Sequence, residues 1–160
     1  MLINTGNPAS LFQRDAARTA APSMSLELIV AEVQAADQLD DAVRRLADER
    51  ADIVLLLADA LLITERSRVA ALALAHRLPT MSSIREMTDA GALLSYGSDL
   101  GESWRRAAYY VDRILRGASP ADLPVEQPST YSLILNHRTA QALGITIPVS
   151  LFSRADEVIE

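Results

Sequence analysis

The 160-residue chain has the length of one ordinary domain, and its 49% hydrophobic and 22% charged composition fits a packed globule and excludes a disordered tail. Fifteen basic against twenty-one acidic residues give a net charge of −6, which argues against a duplex-DNA grip by counterion release. Every basic residue is Arg and there is no Cys, so a Schiff-base or P-loop lysine, a thiol nucleophile, a disulfide and a Cys-based zinc site are all excluded.

In chain order, Leu2-Ile3 reads as a strand that ends in Asn4 to Pro8. Asn7 can then cap a helix whose first turn tolerates Pro8, with Phe12, Ala16, Ala17 and Ala20 recurring at helical spacing as far as Pro22. Leu26 to Val33 is partly alternating and β-branched, which predicts a strand. Asp37 reads as the cap of an amphipathic helix with Leu39, Ala42, Val43 and Leu46 on one face and Asp41, Arg44, Arg45 and Asp48 on the other. Asp52 to Ala58 is a continuous apolar run of strand length, the mark of a strand covered on both faces. Thr64 to Arg77 predicts a helix with Val69, Leu72, Ala73 and His76 on its stripe, and Leu78 to Met81 a short strand.

Ser82 to Gly91 reads as irregular chain or a short helix, and Ala92 to Tyr96 as a strand. The turn Gly97-Ser98-Asp99 caps a helix over about 102–116, with Trp104, Ala107, Ala108, Val111, Ile114 and Leu115 inward and Gly117 as its left-handed stop. Pro120, Pro124 and Pro128 punctuate an extended connector. Tyr131 to Leu135 follows as a strand, Asn136 to Leu143 as a short helix ended by Gly144, and Pro148 to Glu160 as a last helical turn or two. Strands alternating with helices predict an α/β fold, a parallel sheet with helices on both faces. The N-terminus lacks a basic n-region, and Ile53 to Ala58 falls far short of the roughly 20 apolar residues of a membrane span. Read by itself the chain is soluble and without an export address, hence cytoplasmic if expressed as written.

No motif of nucleotide, metal or nucleophile chemistry is present, so catalytic, metal and cofactor residues are all read as none. His76 on its apolar stripe reads as a packed or dipole-stabilising histidine, and His137 as a surface one. Asp40, Asp41, Glu49 and Asp52 read as a solvated helix face, and Trp104, Tyr109 and Tyr110 as core or interface packing rather than a ligand stack. The informative positions follow from topology, because open parallel sheets bind ligands at the carboxyl ends of their strands. Those ends bring Asn7 and Ser10, Asp59, and Ser82, Ser83, Arg85 and Glu86. An Asp there can meet an ammonium and an Arg a carboxylate; Asn7 and Asp59 can equally be simple helix caps.

Residues 79–148 then carry a more specific pattern. Pro79-Thr-Met, Arg85-Glu, Ala90-Gly-Ala-Leu-Leu-Ser-Tyr-Gly97, Arg105-Arg-Ala-Ala and Tyr110-Val-Asp-Arg-Ile-Leu-Arg-Gly117 run in order. Pro120-Ala-Asp-Leu-Pro-Val-Glu-Gln-Pro128, Leu143-Gly-Ile-Thr-Ile-Pro148 and Arg154-Ala-Asp-Glu-Val-Ile159 close it. The pattern closely resembles the C-terminal part of the ABC-transporter substrate-binding proteins of the TrpX-like family, of the type I periplasmic fold, and Asn4 to Pro8 resembles the opening of that family's second lobe. The resemblance implies flavodoxin-like lobes around a cleft, a small-molecule solute such as an amino acid, an ABC permease as partner, a periplasmic location and no catalysis. Carried over as ligand contacts are Asn7, Asp59, Ser83 and Arg85. The expected division is a ligand-binding lobe over 1–92 and, over 93–160, a crossover strand, helix and C-terminal extension that in the family packs across both lobes.

Against the family, a first lobe and a signal peptide are missing, which reads as a half-binder. The stripe of helix 102–116, facing that lobe in the family, would be left bare beside an unpaired edge strand at 92–95. The expectation is a homodimer through residues 92–116. The competing reading is a non-catalytic sensory or regulatory α/β interaction domain. Its receiver version is poor, because that needs a distal Lys. A small flavodoxin-like enzyme lacks a nucleophile, a cofactor loop and a metal set.

Overall fold

Leu2 and Ile3 are neighbours on one strand, so their side chains leave it on opposite faces and enter two different cores. In the computed structural model, which describes residues 1–160, that strand is β1 (Leu2–Asn4). The chain continues through α1 (Pro8–Ala20), β2 (Ala31–Val33), α2 (Leu39–Asp48), β3 (Val54–Leu56), α3 (Ala60–Thr64), α4 (Arg66–Ala75), β4 (Thr80–Ser82) and α5 (Arg85–Asp89). It ends with β5 (Leu94–Ser98), α6 (Leu100–Leu115), β6 (Tyr131–Asn136), α7 (His137–Leu143), α8 (Val149–Phe152) and β7 (Glu157–Ile159). The seven strands form one sheet in the order β2-β1-β3-β4-β5-β6-β7, parallel throughout except for the β5–β6 pair. The fold is a flavodoxin-like α/β sheet, and its strands come from both sides of position 92.

The larger core joins Leu2, Val33, Leu56 and Ala92 to Leu39, Val43 and Leu46 of α2, Val69 and Ala73 of α4 and Met87 of α5. On the other face Met1, Ile3 and Leu57 meet Leu11 and Ala17 of α1. Helices therefore cover both faces, and the acidic face of α2 lies outward in ion pairs: Asp41 with Arg44, Glu49 with Arg45, Asp40 with Arg68.

Several expectations require correction. Only the end of the 26–33 segment is laddered, and the predicted 64–77 helix is two helices, α3 and α4, meeting at Glu65. The α1 stripe is rotated: Leu11 and Ala17 pack inward while Phe12, at 77% exposure, faces solvent. The inward face runs through Ser10, Ala17 and Ala21, and the buried Ser10 carries no hydrophobic signal, so apolar spacing favoured the face of Phe12, Ala16 and Ala20. Of the two readings of His76, the packed one fails and the dipole one stands, since it is exposed as the C-cap of α4, and half-buried His137 lies edge-on to Phe152. The last segment contains a strand, β7, where only helix was expected.

The strand at 92–96 is not an edge. β5 lies inside the sheet between β4 and β6, because the chain returns through β6 and pairs antiparallel along all of β5. Nor does any residue of α6 face a core: Trp104 is 73% and Leu115 82% exposed. The Pro-rich connector lies along α6. Glu126 pairs with Arg106, whose guanidinium lies 4.4 Å from the Tyr109 ring centre, and the Tyr110 hydroxyl donates to the Pro124 carbonyl at 2.9 Å.

Candidate functional site

The parallel strands β1 to β5 all end on the same edge, so the turns after Asn4, Leu56, Ser82 and Ser98 are neighbours. Two groups of side chains occupy this edge.

The first is built on Asp59, which is 3% exposed and caps α3 by accepting the Leu61 amide at 2.9 Å. Its Oδ1 also accepts from Asn4 Nδ2 at 3.1 Å and its Oδ2 from Asn7 Nδ2 at 2.7 Å. The two carboxamides are themselves oriented by backbone amides, Gly6 to Asn4 Oδ1 and Ala9 to Asn7 Oδ1. Burial pushes the Asp59 carboxyl up, but the hydrogen bonds from Asn7, Asn4 and the amides of Leu61 and Leu62 outweigh it and hold the group below its ordinary value. Asp59 is an ionised anchor that ties the loop after β1 to the loop after β3.

The second group lines a cleft of about 400 Å³ between the β4–α5 turn, β5 with the start of α6, and the first residues of β6 and β7. Ser83 and Arg85 line it together with Glu86, Ser95, Ser98, Asp99, Ser132, Asp156 and Glu157, among others. One wall needs Gly97, since a Cβ there would lie 1.9 Å from the Ser83 carbonyl oxygen. The Arg85 fork grips both oxygens of Glu157, and its Nε donates to Asp89 at 3.3 Å. The hydrogen bond to Glu157 is the main reason that the Arg85 pKa is raised and the Glu157 pKa lowered, against a smaller opposing effect of burial on each.

The residues read from strand ends therefore fall into two pairs. Asn7 and Asp59 bond to each other and lie outside the cleft, and Ser83 and Arg85 lie within it. Sequence reasoning missed Ser95, Ser98, Ser132, Asp156 and Glu157. The last two reach the site through β7, which was not foreseen, and Asp99 was seen only as a helix cap.

A family model of ABC transporter substrate-binding proteins matches residues 1–159, and the chain belongs to that family. Among solved structures it is similar to a conserved domain protein from Vibrio cholerae (TM-score 0.90, 24% identity, covering 98% of this chain and 53% of that one). It is also similar to the ABC domain in complex with L-Trp from Streptococcus pneumonia (TM-score 0.87, 25% identity, 99% and 55%). A third is a substrate-binding protein with adhesive properties from Clostridium difficile in a ligand-free, open structure (TM-score 0.76, 20% identity, 99% and 52%). The chain thus spans about half the length of each of these structures. A search of curated protein sequences found no match. No helix of the chain is long and apolar enough to cross a membrane.

Proposed function

We propose that the chain is one lobe of the solute-binding component of an ABC-type importer, and that its carboxyl edge forms part of the solute cleft. The observation that carries this reading is the family match over residues 1–159, on a fold whose polar side chains gather at that edge. The reaction type is binding and release, without catalysis. A small molecule such as an amino acid is the proposed solute, supported by the L-Trp complex of the Streptococcus relative. Ser83 and Arg85 are proposed as contacts within the cleft, and Asn7 and Asp59 as contacts beside it. An ABC permease is the proposed partner and the extracytoplasmic side of the membrane the proposed location, both by membership of the family.

The proposed division of labour keeps 93–160 as the crossover and extension but gives both parts a share of the cleft, with Ser83 and Arg85 from residues 1–92 and Ser98, Ser132, Asp156 and Glu157 from residues 93–160. The bare face of α6 is the proposed surface through which a second copy of the 160-residue chain docks, giving a homodimer. A thermal-shift screen of the twenty amino acids tests the solute reading. A ligand at about one hundred times its Kd stabilises by about 2.7 kcal/mol, so a true solute raises the midpoint by several degrees. A raised midpoint that survives both Ser83→Ala and Arg85→Ala would remove these two residues from the site.

A further inference from the structure

Arg85 is the only cation that lines the cleft, and three carboxylate oxygens hold it. Register explains how its main partner arrives. Ladder pairs set Ser82, Ser95, Ile134 and Glu157 in one row across β4, β5, β6 and β7. Glu157 therefore lies on the cleft face, although it stands 72 positions beyond Arg85 in the chain. Arg85 opens α5 just after β4, at the near end of that row, and its guanidinium meets Glu157 at the far end. The pair spans β5 and β6 along one side of the cleft.

A guanidinium has five N–H bonds in a fixed fork. Nη1 and Nη2 donate to the two oxygens of Glu157, Nη2 at 2.7 Å, and Nε donates to Asp89 at 3.3 Å. Three of the five are thus engaged and two stay free. Asp89 belongs to the same short helix as Arg85, whereas Glu157 comes from the edge strand and bonds to no other side chain. A half-exposed arginine left to itself samples many rotamers. Gripped by Glu157 end-on and by Asp89 at its side, this one is ordered before any solute arrives. It can then meet a hydrogen-bond acceptor without first being fixed in place.

We propose that Glu157 is a positioning residue: with Asp89 it fixes the Arg85 guanidinium so that the two remaining N–H groups stand ready for an acceptor group of the solute. The proposal rests on reading Arg85 as a solute contact, and adds the residue that makes this contact ready. Glu157 acts through Arg85 and touches no solute itself. Glu157→Gln is the informative change, because glutamine keeps the side-chain length and the backbone ladder of β7 while losing the charge and one acceptor oxygen.

The test has two readouts on the 160-residue chain. The first needs no solute and is ¹⁵N-NMR of the arginine side chains. A gripped guanidinium turns slowly about its Nε–Cζ bond, so the parent should show separate Nη signals for Arg85 and Glu157→Gln should merge them. The second is a calorimetric double-mutant cycle over the parent, Glu157→Gln, Arg85→Ala and the double variant. Its probe is L-tryptophan or, where the parent does not bind it, the strongest of the twenty amino acids in the thermal-shift screen. Glu157→Gln should weaken the probe about three- to tenfold, the effect of having to order one long side chain on binding, and should change nothing once Arg85 is alanine. A residue that merely held β7 in place would weaken binding equally in both backgrounds.

Merged Arg85 signals in the parent, an unchanged affinity in Glu157→Gln, or a loss that persists in the Arg85→Ala background overturns the positioning role. Arg85 then stands as a contact by itself, as long as Arg85→Ala weakens the probe. If Arg85→Ala binds as the parent does, or the parent binds none of the twenty, the reading of Arg85 as a contact falls and the positioning role falls with it.

Discussion

Asp59 and Gly97 show how single residues hold the edge of the sheet in shape. Asp59 is buried and accepts from two carboxamides and from the backbone, so removing its charge strands donors that have no other partner. Asp59→Asn should cost about 1–3 kcal/mol, seen as a lower urea midpoint at unchanged slope. The folded-state pKa of Asp59 lies below its ordinary value of 3.8, so its contribution is present above the unfolded pKa and is lost as pH falls through the folded one. The stability gap between parent and Asp59→Asn should therefore be full at pH 7 and close in strong acid. A gap that stays constant down to that range would show that the carboxylate charge is not what Asp59 contributes. At Gly97 a methyl group would sit on the Ser83 carbonyl, and backbone cannot step aside as a flexible side chain can. Gly97→Ala should cost about 1–3 kcal/mol and should shift the amides of 83–86 in an NMR spectrum. Unmoved amides would mean that the two segments are not in contact.

Elements with a local signature were legible in the sequence. Asn7 before Pro8, Asp99 before Leu100, and Gly117 and Gly144 after their helices mark ends that the backbone reproduces, with positive φ at both glycines. The run through β3 was read as a strand buried on both faces, and Val54 and Leu56 are buried, but Leu55 is only half-buried against the smaller core. Leu56→Ala should accordingly cost about 2–5 kcal/mol in chemical denaturation, with Leu55→Ala costing clearly less. Equal losses would contradict the two-core arrangement. What was not legible depends on partners far away in the chain. β7 is three residues among charged neighbours and exists because Ile134 to Asn136 offer it a ladder. The antiparallel direction of β6 follows from a return of thirty-odd residues through α6 and the connector, for which no local pattern codes. The site shares this limit. Ser83 and Arg85 follow a strand end and could be read, but Asp156 and Glu157 arrive from the far end of the chain.

At the scale of the whole molecule, α6 is the anomaly. It is an amphipathic helix with no buried residue, and soluble monomers seldom leave so contiguous an apolar stripe uncovered. If a second copy covers it, light scattering at tens of micromolar should give twice the 17.3 kDa chain mass, and Val111→Glu should return the monomer. A monodisperse monomer of the parent chain would contradict this. The expected interface now lies on α6 itself, since β5 is fully paired within its own sheet.

The central claim is that the carboxyl edge of this sheet receives a small solute in the cleft between Ser83, Ser95 and Asp156, and a crystal structure of the chain soaked with the strongest ligand of the thermal-shift screen tests it most directly. The account predicts that solute in the cleft, with a polar atom within hydrogen-bond distance of Ser83 or Arg85. A solute bound at the opposite edge of the sheet, or on the exposed face of α6 with the cleft unchanged, would contradict it.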